Sequence, residues 1–125
     1  MSQGVIRRVL AAPVVVFVLL ACSGPPPTVD RIVIANPTDY LLGVQVTRRD
    51  LDGWLPVTLV EPRSESVAQE VIDQGEVWIF RFLHWGDEVG EFSVTRAELE
   101  RNGWRVTVPE QVEERLRNLG RPPSV

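Results

Sequence analysis

The chain has 125 residues, with 13 basic and 17 acidic side chains, a formal charge of −4, one cysteine and one histidine. Every basic residue is arginine. A single Cys and a single His exclude an intramolecular disulfide and a structural zinc site of the usual Cys/His kind, and the acidic balance argues against a nucleic-acid partner.

The chain opens with Met1–Arg8, which carries Arg7 and Arg8, followed by thirteen apolar residues, VLAAPVVVFVLLA, from Val9 to Ala21. A helix needs about 20 apolar residues to span a bilayer core. Thirteen is short for a permanent span and suits the hydrophobic part of a secretory signal. Arg7 and Arg8 belong on the cytoplasmic side by the positive-inside bias. Cys22 follows directly.

Leu19-Leu20-Ala21-Cys22 resembles the lipobox of bacterial lipoproteins, a likeness that covers about the first 24 residues. It implies a diacylglyceryl group on the Cys22 sulfur and cleavage before Cys22, where compact Ala21 fits the peptidase. Two or more acyl chains hold a protein stably at a bilayer, at about 0.8 kcal/mol per buried methylene. The expected divisions are a signal peptide at 1–21, an acylated tether at 22–29, a folded domain at 30–120 and a disordered tail at 121–125. The expected location is the membrane surface on the extracytoplasmic side. Two alternatives stand beside this reading: Cys22 as a buried small hydrophobe, and an uncleaved signal anchor.

Cleavage would leave 104 residues with a formal charge of −6. Such a domain is repelled by anionic lipid, so the membrane association must come from the acyl chains. GPPPTV, 24 to 29, favours polyproline II and reaches only roughly 20 Å.

From Asp30 onward the pattern is short strands separated by turns. RIVIA (31–35) is a β-branched run closed by the turn Asn36-Pro37-Thr38-Asp39. In 40–47, Leu42, Val44 and Val46 share one face. Strand 54–60 carries Pro56, which marks an edge or a bulge. A fourth strand covers 67–72. EVWIFRFLH (76–84) is apolar on both faces and should be central, with Trp78, Phe80 and Phe82 pointing one way. Strand 89–95 follows. A two-residue loop between these strands would bury Glu91 beside Phe82. The expected connection is therefore Gly86-Asp87-Glu88, pairing Phe82 with Phe92 and Phe80 with Val94.

Thr95-Arg96-Ala97-Glu98 fits a capping box, and Asn102-Gly103 stops that helix. Trp104–Val108 makes a seventh strand. Pro109 opens a second helix at its first position. Val112, Leu116 and Leu119 form its apolar stripe, expected on the outer face of the sheet near Ile79 and Leu83. The pattern predicts a mainly β domain: an antiparallel, immunoglobulin-like sandwich of about seven strands with a short helix and a C-terminal helix.

Chemistry-bearing patterns are sparse. His84 is the only histidine base, and it lies at the end of an apolar strand. Asp50-x-Asp52-Gly53 lacks the later ligands of a calcium loop. Glu110, Glu113 and Glu114 suit the start of a helix. No catalytic residue and no cofactor are expected. Of the four tryptophans, Trp78 and Trp104 read as core. Trp54 and Trp85 border loops and are the candidate contacts for a protein partner, a glycan or lipid headgroups; the competing reading makes them plugs over the sandwich ends. The chain reads as a non-enzymatic, lipid-anchored envelope module that binds another protein. The alternative is an envelope lipoprotein that binds a small molecule, a glycan or a metal.

Overall fold

The computed structural model describes residues 24–49 and 53–124. The expected signal segment 1–21, Cys22, Asp50, Asp52 and Val125 lie outside the described residues. The fold is mainly β. Its strands are β1 (Thr28–Asn36), β2 (Leu42–Arg48), β3 (Leu55–Val60), β4 (Ser64–Ile72), β5 (Val77–His84), β6 (Asp87–Thr95) and β7 (Arg105–Thr107). The helices are α1 (Arg96–Arg101) and α2 (Glu110–Asn118).

The strands make two sheets, one in the order β4-β1-β7 and one in the order β3-β2-β5-β6. β7 runs parallel to β1, which corrects the expectation of a wholly antiparallel arrangement. The chain reaches β7 through α1, and that crossover brings it back in the direction of β1. β1 begins at Thr28, and Val29 is buried. Thr28 and Val29 of the expected tether therefore belong to the first strand.

The alternation read from the sequence sets the core. Leu42, Val44, Val46, Trp78, Phe80 and Phe82 all lie within it, facing Ile32 and Ile34 of the other sheet. Fully burying a side chain of this size contributes about 1.5–3 kcal/mol. β5 is interior to its sheet, and β3 with its Pro56 is an edge. A register shift between Val44 and Gln45 accompanies that proline. Thr95 caps α1 with both halves of the capping box in place.

The β5–β6 hairpin differs from expectation. Its loop is Trp85-Gly86, with His84 opposite Asp87. Both loop residues have positive φ, 52° and 85°, as a type I′ turn requires. A bulge between Phe82 and Leu83 absorbs Val89, so Phe82 faces Gly90 and Phe80 faces Phe92. The extra residue restores the side-chain parity that a two-residue loop alone would reverse. Glu91 therefore stays outside, opposite Arg81.

Helix α2 begins one residue later than expected, with Pro109 as its N-cap. It does not lie on the outer face of the sheet. Val112 and Leu116 enter the main core, and the helix packs against β6. Gly90 permits this approach, since a Cβ there would stand 2.6 Å from Val112 Cγ2. The helix thus bridges β7 and β6 and closes the seam between the sheets. Leu119, the third residue of the stripe, is exposed.

The segment expected to be a disordered tail is held over residues 121–124. Gly120, at φ 75°, ends α2 in a Schellman arrangement, with Gly120 N–H donating to Arg117 O and Arg121 N–H to Leu116 O. This turns the chain back toward Tyr40. Tyr40 Oη donates to Arg121 O at 2.9 Å. Ser124 N–H donates to Asp39 O at 2.8 Å, and its hydroxyl accepts from Leu41 N–H at 2.9 Å.

Candidate partner-binding surface

The strand registers define two poles. Thr28 pairs with Ile72 and Val77 with Thr95, so the end of β1 nearest Cys22 lies with these residues. Asp73 N–H donates to Pro27 O, and Arg96 pairs with Asp73. At the distal pole, Asn36 pairs with Ser64, Leu42 with Val60 and His84 with Asp87.

Trp85 lies at the distal pole and is 78% exposed. Its ring meets the edge of the His84 ring at a centroid distance of 5.9 Å. A type I′ turn pins its backbone, so an exposed indole projects from a rigid support. Trp54 lies elsewhere. It precedes β3, half-buried, and the Arg81 guanidinium stacks 4.1 Å from its ring centroid. Arg81 Nε also donates to Gln45 Oε1 at 2.8 Å. Thr47 Oγ1 donates to Gly53 O at 2.7 Å and ties down the residue before Trp54. Arg81 is four residues from Trp85, about 13 Å along an extended strand. The two tryptophans singled out together do not form one site. Trp54 is a component of the outer sheet face, and of the two only Trp85 is open to solvent.

Behind Trp85 is a polar cluster formed by residues distant in sequence. His84 is 2% exposed. Its Nδ1 lies 2.8 Å from an Arg121 guanidinium nitrogen. A guanidinium only donates, so Nδ1 accepts, and the neutral ring carries its proton on Nε2. Nε2 is buried without a hydrogen-bond partner among the described residues. Burial first, and then the Arg121 charge, hold the imidazole below its usual pKa; Asp87 pulls the other way. Arg121 also pairs with Asp87 at 2.6 Å, and the Tyr40 ring meets His84 edge-on at 5.5 Å. No sequence signal connects His84 to Arg121, 37 positions away.

A second polar node fixes the distal corner. Asn36 Nδ2 donates to the carbonyls of Tyr40 (2.8 Å), Glu61 (3.1 Å) and Val60 (3.4 Å). Its Oδ1 accepts from Thr38 N–H (3.0 Å) and Thr38 Oγ1 (2.7 Å). One amide thereby joins the β1–β2 turn to the β3–β4 turn.

Between α2 and β6 lies an open groove of about 810 Å³. Phe92 and Val112 supply apolar wall, and Glu91, Glu114 and Arg115 line its rim. Of the three helix-starting acids, Glu113 accepts from Asp39 N–H at 3.0 Å and is occupied in holding that loop. Glu110 and Glu114 are exposed. Among the described residues there is no group of three or more His, Cys, Asp or Glu arranged to hold a metal ion. No helix among them is long and apolar enough to cross a membrane.

No protein-family model matches the chain, and neither a curated protein nor a solved structure matches it.

Proposed function

We propose that the chain is a non-enzymatic, lipid-anchored module of the cell envelope that uses its distal pole to engage another protein. Acyl chains on Cys22 hold it at the extracytoplasmic face of a membrane, and the mature domain belongs to the immunoglobulin-like class of sandwiches. The fold reading is supported by seven strands in two sheets, with β7 parallel to β1 as its departure from the common pattern. The functional reading rests chiefly on one observation: Trp85, rigidly backed and 78% exposed, stands at the pole opposite Thr28. An indole of this kind is a frequent anchor of protein contacts. The first β-strand starts six residues after Cys22, so the tether pole would face the bilayer and the Trp85 pole would face away.

The test is in-cell photocrosslinking from position 85, with position 69, on the exposed side of β4, as the control. Reproducible capture of one envelope protein from 85 and none from 69 is the expected result. No reproducible partner from position 85 contradicts it. A second reading, a small-ligand binder, draws on the groove beside Phe92, whose volume lies in the range of small-molecule pockets. A tryptophan-fluorescence titration with cell-wall fragments tests it, and a saturable change blocked by Asn118→Arg, at an exposed position of the groove lining, is the result that favours it.

A further inference from the structure

β6 is an end strand of its sheet, and α2 packs beside it. Arg96 N–H donates to Glu76 O at 2.9 Å, which sets the phase of the β5–β6 ladder. Antiparallel pairs alternate between hydrogen-bonded and non-hydrogen-bonded. Continuing from Glu76 and Arg96, the bonded pairs are Trp78 with Val94 and Phe80 with Phe92. The pairs between them, Ile79 with Ser93 and Arg81 with Glu91, leave the backbone groups of Ser93 and Glu91 directed away from β5. Thr95 fits the same phase, because its outward N–H donates to Glu98 Oε1. β6 ends its sheet, so among the described residues no strand meets these groups, and Glu91 and Ser93 are exposed.

We infer that this edge accepts an extended, cationic segment of a partner protein as an added strand, with alternate apolar side chains of that segment entering the α2–β6 groove. This deepens the interaction-module reading and rests on it. Strand addition supplies affinity through main-chain hydrogen bonds, while pockets for every second side chain supply selectivity. Charge identifies the occupant. Glu91 and Glu114 line the groove together with Arg115, and beyond its lining Glu88 of β6, Glu110 of α2 and Arg117 of α2 are exposed, so carboxylates outnumber guanidinium groups on the exposed positions of these two elements. In a two-fold antiparallel pairing of two β6 edges about Glu91, the Glu91 side chains of the two copies would meet, which like-charge repulsion disfavours. A basic strand meets the same carboxylates favourably.

The test uses the full chain in a neutral detergent and a fluorescein-labelled peptide of four Lys-Val repeats, followed by anisotropy. Saturable binding that weakens as salt rises is expected. A Glu-Val counterpart should bind at least about tenfold more weakly, as should the peptide to Ser93→Pro, which deletes an outward donor from an edge strand. Should Ser93→Pro fail to fold, Glu114→Lys on the helix rim and amide exchange at Ser93 take its place, with slower Ser93 exchange expected in the complex. Equal binding of the two peptides, absence of saturable binding, or unchanged Ser93 exchange overturns the inference. So does a dimer in sedimentation that Ser93→Pro converts to monomer, which would make a second copy the occupant. A partner crosslinked at position 85 but never at 93 leaves the interaction-module reading standing and removes this one.

Discussion

Two side chains at the distal pole, Asn36 and His84, are each 2% exposed, yet they are buried on opposite terms. Asn36 has both its amide nitrogen and its oxygen fully engaged, by three carbonyls and by Thr38. His84 is held at Nδ1 by a guanidinium that opposes its protonation, and its Nε2 has no partner among the described residues. A satisfied buried amide strengthens one conformation, whereas an unsatisfied donor carries its desolvation cost into the folded state. Equal burial thus does not imply equal contribution. The Asn36 node fixes the corner, and the His84 node ties the C-terminal strap to an imidazole whose protonation its surroundings oppose.

The largest effect should come from breaking the satisfied node. Asn36→Ala leaves the Glu61 carbonyl without its side-chain donor, leaves Tyr40 O only the longer Thr38 hydroxyl contact at 3.3 Å, and removes the acceptor of Thr38 N–H, at a cost of about 3 kcal/mol. Urea unfolding reads this as a lower midpoint at unchanged slope. Next comes Gly90→Ala, which tests the strut that carries α2 to the strap: overpacking against Val112 should cost about 1–3 kcal/mol.

Acidification should act on the other node. The folded-state pKa of His84 lies below its ordinary value of 6.5, so the unfolded chain binds the proton first. The His84 contribution is therefore fully present above about pH 6.5 and declines as pH falls below it. His84→Phe should remove that dependence and leave stability at pH 7 within about 1 kcal/mol of the parent, since it deletes an unpartnered donor while keeping a ring beside Tyr40. Thermal unfolding of both proteins between pH 7 and pH 5 checks this; an unchanged slope in His84→Phe contradicts the assignment. Arg121→Ala should have the smallest effect on global stability, about 0.2–1 kcal/mol for a part-exposed pair. It should nonetheless speed amide exchange at Ser124 and Leu41, whose bonds depend on the strap.

Much of the framework was legible in the residues. The alternation of Trp78, Phe80 and Phe82 identifies the inner face of β5, Pro56 marks an edge strand, and Thr95 with Glu98 announces α1. What escaped was decided between segments. Val89 can be a strand residue or a bulge, and only the type I′ geometry of Trp85-Gly86 forces the second. The stripe of Val112, Leu116 and Leu119 suits either side of a sheet, and the space over Gly90 selects one. RPPSV has the composition of a loose end, but a Schellman turn aims Arg121 at His84 and Asp87. Asn36 read as a turn residue because its carbonyl partners at Val60 and Glu61 are 24 and 25 positions away. Trp54 and Trp85 look alike at loop borders, and only the register separates a ring capped by Arg81 from one left open.

Membrane anchorage through the lone sulfur is the claim from which the orientation of both poles follows. Intact-mass spectrometry of the protein extracted from its native membranes tests it most directly. The account predicts a chain beginning at Cys22 and heavier than its sequence by a diacylglyceryl group, lost in Cys22→Ser. A chain beginning at Met1 with a free thiol would contradict it.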